Sequence, residues 1–271
     1  MKTSNHLLRR LTAALLAAVL ALSIALPVFA SDDGDTIYIN SVSDLLSLAG
    51  SCAYDQWSVG KTVILQKDLS LEGMLWEPIP SFSGQFKGNG HTISDLTITG
   101  QYSPAGLFGI VEEQGSIESL SVRGVVSVSD SADTTTGGIA GINHGTLISC
   151  QFTGVVTGDS EVGGIVGRNE SEGTIDHSTA RAIVTGKSST GGIAGYNLGA
   201  ITGCTNVGSI NTEYPEASLD TDGFTAKMVD YINNKMAAAD DDATNSVTNV
   251  ATDTGGIAGR SSGMILTRSE E

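Results

Sequence analysis

Basic residues are scarce: 14 lysines and arginines stand against 30 aspartates and glutamates, for a formal net charge of −16 over 271 residues. Such a surface repels nucleic acid and anionic lipid, so neither is expected as a partner. Cysteines are fewer still, three in all: Cys52, Cys150 and Cys204. An odd number in a chain of this size is not a disulfide framework, and the spacing fits no zinc motif. No His-Glu-x-x-His pattern occurs either. Beyond the N-terminus no stretch is apolar enough to span a membrane, and the C-terminus carries no sorting motif or hydrophobic tail. The acidity does not imply disorder, because apolar residues recur at regular positions.

The first residues point to a compartment. Lys2, Arg9 and Arg10 precede an uncharged apolar stretch from Leu11 to Ala25. Pro27 ends it, and Val28-Phe29-Ala30 places small residues where a signal peptidase cuts. The run is short for a spanning helix. A signal peptide over 1–30 is therefore expected, with a secreted or cell-surface product and no membrane span after cleavage. Cleavage removes three basic residues and no acidic one, so the mature chain is more acidic still.

What is abundant is glycine, 34 of 271 residues, nearly twice the usual share of about 7%. It recurs in one phrase: Gly137-Gly138-Ile139-Ala140-Gly141, Gly163-Gly164-Ile165-Val166-Gly167, Gly191-Gly192-Ile193-Ala194-Gly195 and Gly255-Gly256-Ile257-Ala258-Gly259. A degenerate copy, Ala105-Gly106-Leu107-Phe108-Gly109, precedes them. Counted from the second glycine, the steps are 32, 26, 28 and 64 residues. Periods in this range mean stacked supersecondary units.

The rest of each unit aligns. An aliphatic residue follows at Ile117, Leu147, Ile175, Ile201 and Ile265. Three residues later stand Leu120, Cys150, Ser178, Cys204 and Arg268, and six beyond these Val126, Val156, Val184 and Ile210. Small residues lie between, at Gly124, Gly154, Ala182 and Gly208, and an asparagine follows the phrase at Asn143, Asn169 and Asn197. Short β-branched segments divided by glycines and polar turns are strands. Each unit matches one solenoid coil of three short strands. Stacking at about 4.8 Å then puts isoleucine on isoleucine inside and asparagine on asparagine at a turn. Asparagine also tolerates left-handed backbone. The paired glycines are expected to turn the chain at positive φ and to let it pass close to the next coil. A propeller blade needs about 40 or more residues, and a sandwich does not explain one phrase at a near-fixed period.

The expected architecture is all-β, a right-handed parallel β-helix over 63–271, with an N-terminal cap over 31–62 and one helical insertion. Val63-Ile64-Leu65 and the stretch from His91 to Ile98 read as opening coils. Ser43 to Ala49 has helical spacing and a capping serine, giving a helix of about 42–53 that would cover the raw β edge. The 64-residue step holds the insertion, 212–253. Within it Phe224, Met228, Tyr231, Ile232 and Met236 share one helical face, with Asp222 as N-cap. Phe224, Met228 and Tyr231 are the candidate binding residues there; a helix that only covers the flank is the alternative.

These phrases, with strands such as Gly173-Thr174-Ile175 after them, resemble the GLUG-motif repeats of bacterial surface adhesins and of non-catalytic regions of some cell-surface proteases. Trp76-Glu77-Pro78-Ile79-Pro80 and the run from Phe82 to Ile93 are similar to the opening coils of such proteins. The resemblance implies a fold, and no catalytic motif comes with it. Gly138, Ile139, Gly141, Gly164, Ile165, Gly167, Gly192, Ile193, Gly195, Gly256, Ile257 and Gly259 are then structural residues.

Some β-helices degrade polysaccharides, which needs two carboxylates about one bond. Asp130, Asp133, Asp159, Glu161, Glu170 and Glu172 fall mostly in turns and do not recur at one ladder position, so solvated turns are the expectation. His91, His144 and His177 occupy different points of the repeat. Asp220-x-Asp222-Gly223 begins like a calcium loop, but its twelfth position is Val229. No cofactor is expected beyond loosely held surface calcium. The reading is a non-enzymatic extracellular binding, adhesion or structural module for a glycan or protein ligand. The alternatives are a polysaccharide lyase or hydrolase, or the accessory region of a larger secreted protease. The last unit stops half a coil short at Glu271, so a fragment of a longer product is expected, with end-to-end self-association through an edge guarded only by Arg268, Glu270 and Glu271.

Overall fold

The computed structural model describes residues 35–54, 56–128, 134–211 and 252–266. They form a parallel β-solenoid with one helix among them. The expected signal peptide, the helical stripe of Phe224, Met228 and Tyr231, the calcium-like stretch at Asp220, and Arg268, Glu270 and Glu271 lie outside the described residues.

The opening coils over 62–82 and 85–111 have three strands, as expected, and the repeated coils that follow have four. In the coil after the first Gly-Gly-Ile phrase the chain runs through Thr146–Ile148, Gln151–Thr157, Glu161–Gly163 and Val166–Asn169. These belong to four parallel sheets, numbered here 1 to 4 in that order. Among the described residues the sheets hold eight, seven, four and six strands. The fourth strand was hidden because its three residues run directly into the glycine phrase.

The register agrees with the sequence alignment. Ile117, Leu147, Ile175, Ile201 and Ile265 form one column of sheet 1, extended backwards by Phe86, Val63 and Ile37. Val126, Val156, Val184 and Ile210 form another in sheet 2. Both columns face inward, and their members up to Ile201 and Val184 are at most a few per cent exposed. Long-range pairing of this kind keeps every interior strand hydrogen-bonded on both edges.

The ladder starts earlier than expected. Thr36–Ile39 pairs with Thr62–Leu65, so the first rung of sheet 1 lies inside the stretch read as cap. The helix α1, Val42–Ser51, leaves that rung. Its N-cap is Ser41, whose side chain accepts from the Asp44 N–H at 3.2 Å. Leu45 and Leu48 are fully buried, and α1 packs on Thr36–Ile39 and on Ile79–Phe82, the terminal strand of sheet 4. The alternation of Thr36-Ile37-Tyr38-Ile39 is the signal for that rung.

Two corners are constant. From sheet 1 to sheet 2 the chain spends two residues in each coil from Ser116 on: Ser119-Leu120, Ser149-Cys150, His177-Ser178 and Gly203-Cys204. The first of each pair has φ between 46° and 60°. The left-handed residue of the coil is thus here. Asn143, Asn169 and Asn197, expected to take that role, keep negative φ. From sheet 3 to sheet 4 the chain again spends two residues, Gly138-Ile139 and its counterparts. These glycines are not at positive φ, contrary to expectation. Space is what demands them. A Cβ on Gly137 would meet the Ile165 carbonyl oxygen at 2.7 Å, and one on Gly138 would enter the Phe152 ring.

The other two corners vary. Sheet 2 to sheet 3 takes Gly158-Asp159-Ser160 in one coil, Gly186-Lys187 in the next and 211–251 in the last. Sheet 4 to sheet 1 takes two to four residues. The long step therefore sits at one corner. Thr252–Gly255 already pairs with Ser188–Gly191, so the ladder resumes two residues inside the stretch 212–253.

Candidate binding surface

The polar groups that the coils bring together fall into buried ladders and outward columns. Asn143, Asn169 and Asn197 are fully buried at the corner from sheet 4 to sheet 1. Each carboxamide donates to the next: Asn143 Nδ2 to Asn169 Oδ1 at 2.7 Å, and Asn169 Nδ2 to Asn197 Oδ1 at 2.8 Å. Asn197 Nδ2 donates to Ser261 Oγ at 3.2 Å. The same amides also donate to the carbonyls of Gly145, Gly173 and Gly199, which closes each turn. At the constant corner from sheet 1 to sheet 2 the Cys150 N–H donates to Ser178 Oγ at 3.1 Å, and the Ser178 N–H to Cys204 Sγ at 3.4 Å. All three cysteines are free thiols, and Ser178 stands between Cys150 and Cys204. Burial pushes the Cys150 thiol up to about 12 and the Cys52 and Cys204 thiols up to about 11. They are protonated packing groups and poor nucleophiles.

The outward column of sheet 4 runs Ser81, Ile110, Ile142, Arg168, Tyr196, Arg260. Tyr196 lies between two guanidinium groups, at 5.2 Å from Arg168 and 5.5 Å from Arg260. Arg168 donates from Nε to Glu161 Oε2 at 2.7 Å and from Nη2 to Glu161 Oε1, and its Nη1 is 3.5 Å from Glu170 Oε1. Glu161 is the foremost cause that raises the Arg168 pKa further. From Ile110 on this column was legible, since each residue directly follows the glycine phrase, but it drew no attention because its chemistry changes from coil to coil.

Three of the acids named as candidates for catalysis are less solvated than expected. Asp159, Glu161 and Glu170 have side chains 14%, 15% and 21% exposed and are ion-paired, Asp159 with Lys187 Nζ at 2.5 Å and the other two with Arg168. Glu161 lies in a strand of sheet 3. Stacking brings Lys187 of the next coil to Asp159, while Arg168 meets Glu161 and Glu170 within its own coil. Glu172 remains exposed, and the Ser171 hydroxyl that donates to it keeps its carboxyl below the usual range. Asp130 and Asp133 lie outside the described residues. His91 lies at the corner before the sheet 2 strand Thr92–Gly100, beside Asp68, His144 at the corner before sheet 1, and His177 beside Asp176 at the corner after it, so they do not converge. Among the described residues no group of three or more His, Cys, Asp or Glu side chains could hold a metal ion, and no helix is long and apolar enough to cross a membrane.

Residues 158–185 match the GLUG motif, one full passage of Gly158-Asp159-Ser160 through the phrase and into sheet 2. The chain is 32% identical over 155 residues to Halomucin of Haloquadratum walsbyi, covering 52% of this chain and 2% of Halomucin. It is 29% identical over 137 residues to a "Putative Gly-rich membrane protein" of Evansella cellulosilytica, covering 36% of this chain and 16% of that one. A solved structure from Bacteroides ovatus, named "putative immunoglobulin A1 protease", is similar with a TM-score of 0.45 and 16% identity over 66% of this chain and 68% of that chain. The chain spans a small part of both sequence relatives; it is a parallel β-solenoid that carries a match to the GLUG motif at residues 158–185.

Proposed function

We propose that the chain is a non-catalytic extracellular module, secreted or displayed on the cell surface, that serves binding, adhesion or structure in a larger surface protein. The observation that carries this reading is the pairing of Glu161 and Glu170 on Arg168 and of Asp159 on Lys187. These half-buried carboxylates are already neutralised: Asp159 ties one coil to the next, and Arg168 ties Glu161 of sheet 3 to sheet 4. The names of the two sequence relatives, a mucin and a membrane protein, support a place at the surface. The stacked outward columns offer a long repetitive face suited to an extended glycan or protein ligand.

The test is incubation of the mature protein with acidic and neutral polysaccharides and with extracellular matrix proteins, with and without calcium. Saturable binding without new reducing ends or unsaturated products is expected. Turnover that disappears in Glu161→Gln or Glu170→Gln would overturn the reading in favour of a polysaccharide lyase or hydrolase. A variant in which Asn211 joins Thr252 through a Gly-Lys pair, copying the corner at Gly186-Lys187, is expected to keep a cooperative melt. Loss of binding in that variant would assign the ligand to the insertion, including Phe224, Met228 and Tyr231.

A further inference from the structure

We propose that the rung formed by residues 252–266 exchanges between copies of this chain, so that the coil spanning 188–203 is a docking edge for the same rung of a second molecule. The inference is independent of which ligand the outward columns bind.

Connectivity is the first ground. At the corner from sheet 2 to sheet 3 the preceding coil is joined by Gly186-Lys187 alone, which forces the next strand onto its own molecule. In the last coil the same corner is bridged by residues 212–251 beyond Asn211. A connection of 40 residues can reach as far as about 130 Å when extended, well beyond a single solenoid. The entropy of closing a connection grows only slowly with its length, so the intramolecular docking is permitted as well.

Docking chemistry is the second ground. All strand pairing of the rung runs to one coil: Thr252 to Gly255 on Ser188 to Gly191, Ala258 to Ser261 on Ala194 to Asn197, and Met264 to Leu266 on Ala200 to Thr202. The coil donates its Ile193 and Ala194 N–H groups to the Ile257 carbonyl at 2.9 and 3.0 Å and its Gly203 N–H to the Leu266 carbonyl at 3.1 Å. In return the Met264 N–H donates to the Gly199 carbonyl at 2.8 Å. Asn197 Nδ2 reaching Ser261 Oγ, and Arg260 over Tyr196, set the register from side chains. Every one of these partners is available in identical form on a second copy. The exchanged and unexchanged states therefore contain the same bonds, and concentration chooses between them. Ile193 and Ile201, buried beneath the rung, make an unoccupied edge costly, so the edge is filled by one copy or the other.

The experiment uses the full mature chain. Tyr196 and Arg260 stand opposite each other in adjacent parallel strands. Their Cα spacing of about 4.8 Å is within disulfide reach. Chains carrying only Tyr196→Cys, labelled with 15N, are mixed with unlabelled chains carrying only Arg260→Cys, concentrated together, diluted and oxidised. The expected product is a disulfide joining position 196 of one chain to position 260 of the other, in a yield that rises with the mixing concentration. In parallel, unmodified 15N and unlabelled chains are expected to form hybrid dimers by native mass spectrometry. The Gly-Lys short-corner variant should form none. Absence of hybrid dimers at every concentration overturns the proposal. So do hybrid dimers that persist in the short-corner variant, because they would arise from surfaces other than the exchanged rung.

Discussion

The first coils and the repeated coils solve the same packing problem with different side chains. In sheet 4, Ile79 and Phe108 occupy the inward column that later holds Ala140, Val166, Ala194 and Ala258. In a neighbouring column Phe82 and Val111 give way to Asn143, Asn169 and Asn197. The early coils fill their interior with aromatic rings. Phe82, Phe86 and Phe108 have centroids 5.3 to 6.3 Å apart, and Trp76 is buried with its Nε1 donating to the Leu107 carbonyl at 3.1 Å. The later coils use small aliphatic residues and a polar ladder. A cluster of rings fills an irregular space once and cannot be copied upward, whereas a carboxamide that donates to the next carboxamide can be copied without limit. The early coils carry the bulk of the non-repeating core, and the later coils carry a pattern.

The largest effect is expected in the early coils. Phe108→Ala removes the ring that touches both Phe82 and Phe86, and should cost about 3–5 kcal/mol by urea unfolding. A loss below that of any repeat-coil alanine variant would break the contrast. An intermediate effect is expected in the ladder. Asn169→Leu leaves the Asn197 carbonyl oxygen without its donor at 2.8 Å, and should cost about 1–3 kcal/mol. Replacing Asn143, Asn169 and Asn197 together by valine, the residue already at Val111, should cost less than the sum of the three single changes. Strict additivity would mean that the carboxamides act one by one. The smallest effect concerns the thiols. An unfolded chain releases the Cys150 proton near its ordinary 9.0, and the folded chain holds it to about 12. Folding takes up a proton in that window, so stability is complete below about pH 9 and declines as the pH rises toward 12. Cys150→Ser, which copies Ser178, should make the alkaline decline of the unfolding midpoint shallower. An unchanged slope would place the alkaline loss elsewhere.

The solenoid was legible because its signals are periodic: the column from Ile117 to Ile265 and the ladder of asparagines follow from position alone. The four-stranded coil was less legible, since Thr135–Gly137 and its counterparts are too short for alternation to mark them. The role of the glycines was half legible. Close approach follows from repetition, but whether a glycine answers to φ or to space depends on atoms in the next coil. The left-handed position was hidden because Ser119, Ser149, His177 and Gly203 share no chemistry. The Asp159–Lys187 pair joins two coils, so no linear pattern contains it, whereas Glu161 and Glu170 stand seven and two residues from Arg168 and meet it within one coil. The Arg168–Tyr196–Arg260 column was visible at a fixed offset, yet only stacking turns three unlike residues into one feature.

Two corners hold two residues in every repeated coil and two accept anything from two to some forty. The fixed corners set the parity of the pleat, so a change of length at a permissive corner leaves every inward side chain inward. Height and ornament are therefore independent quantities in this molecule. A lineage can add a storey of about 4.8 Å by duplicating one coil. It can hang a new segment from either permissive edge without retuning the core. Unequal repeat periods, which would disorder a helical bundle or a barrel, are silent here. Such a tower can be rebuilt storey by storey while its outer edges are rewritten.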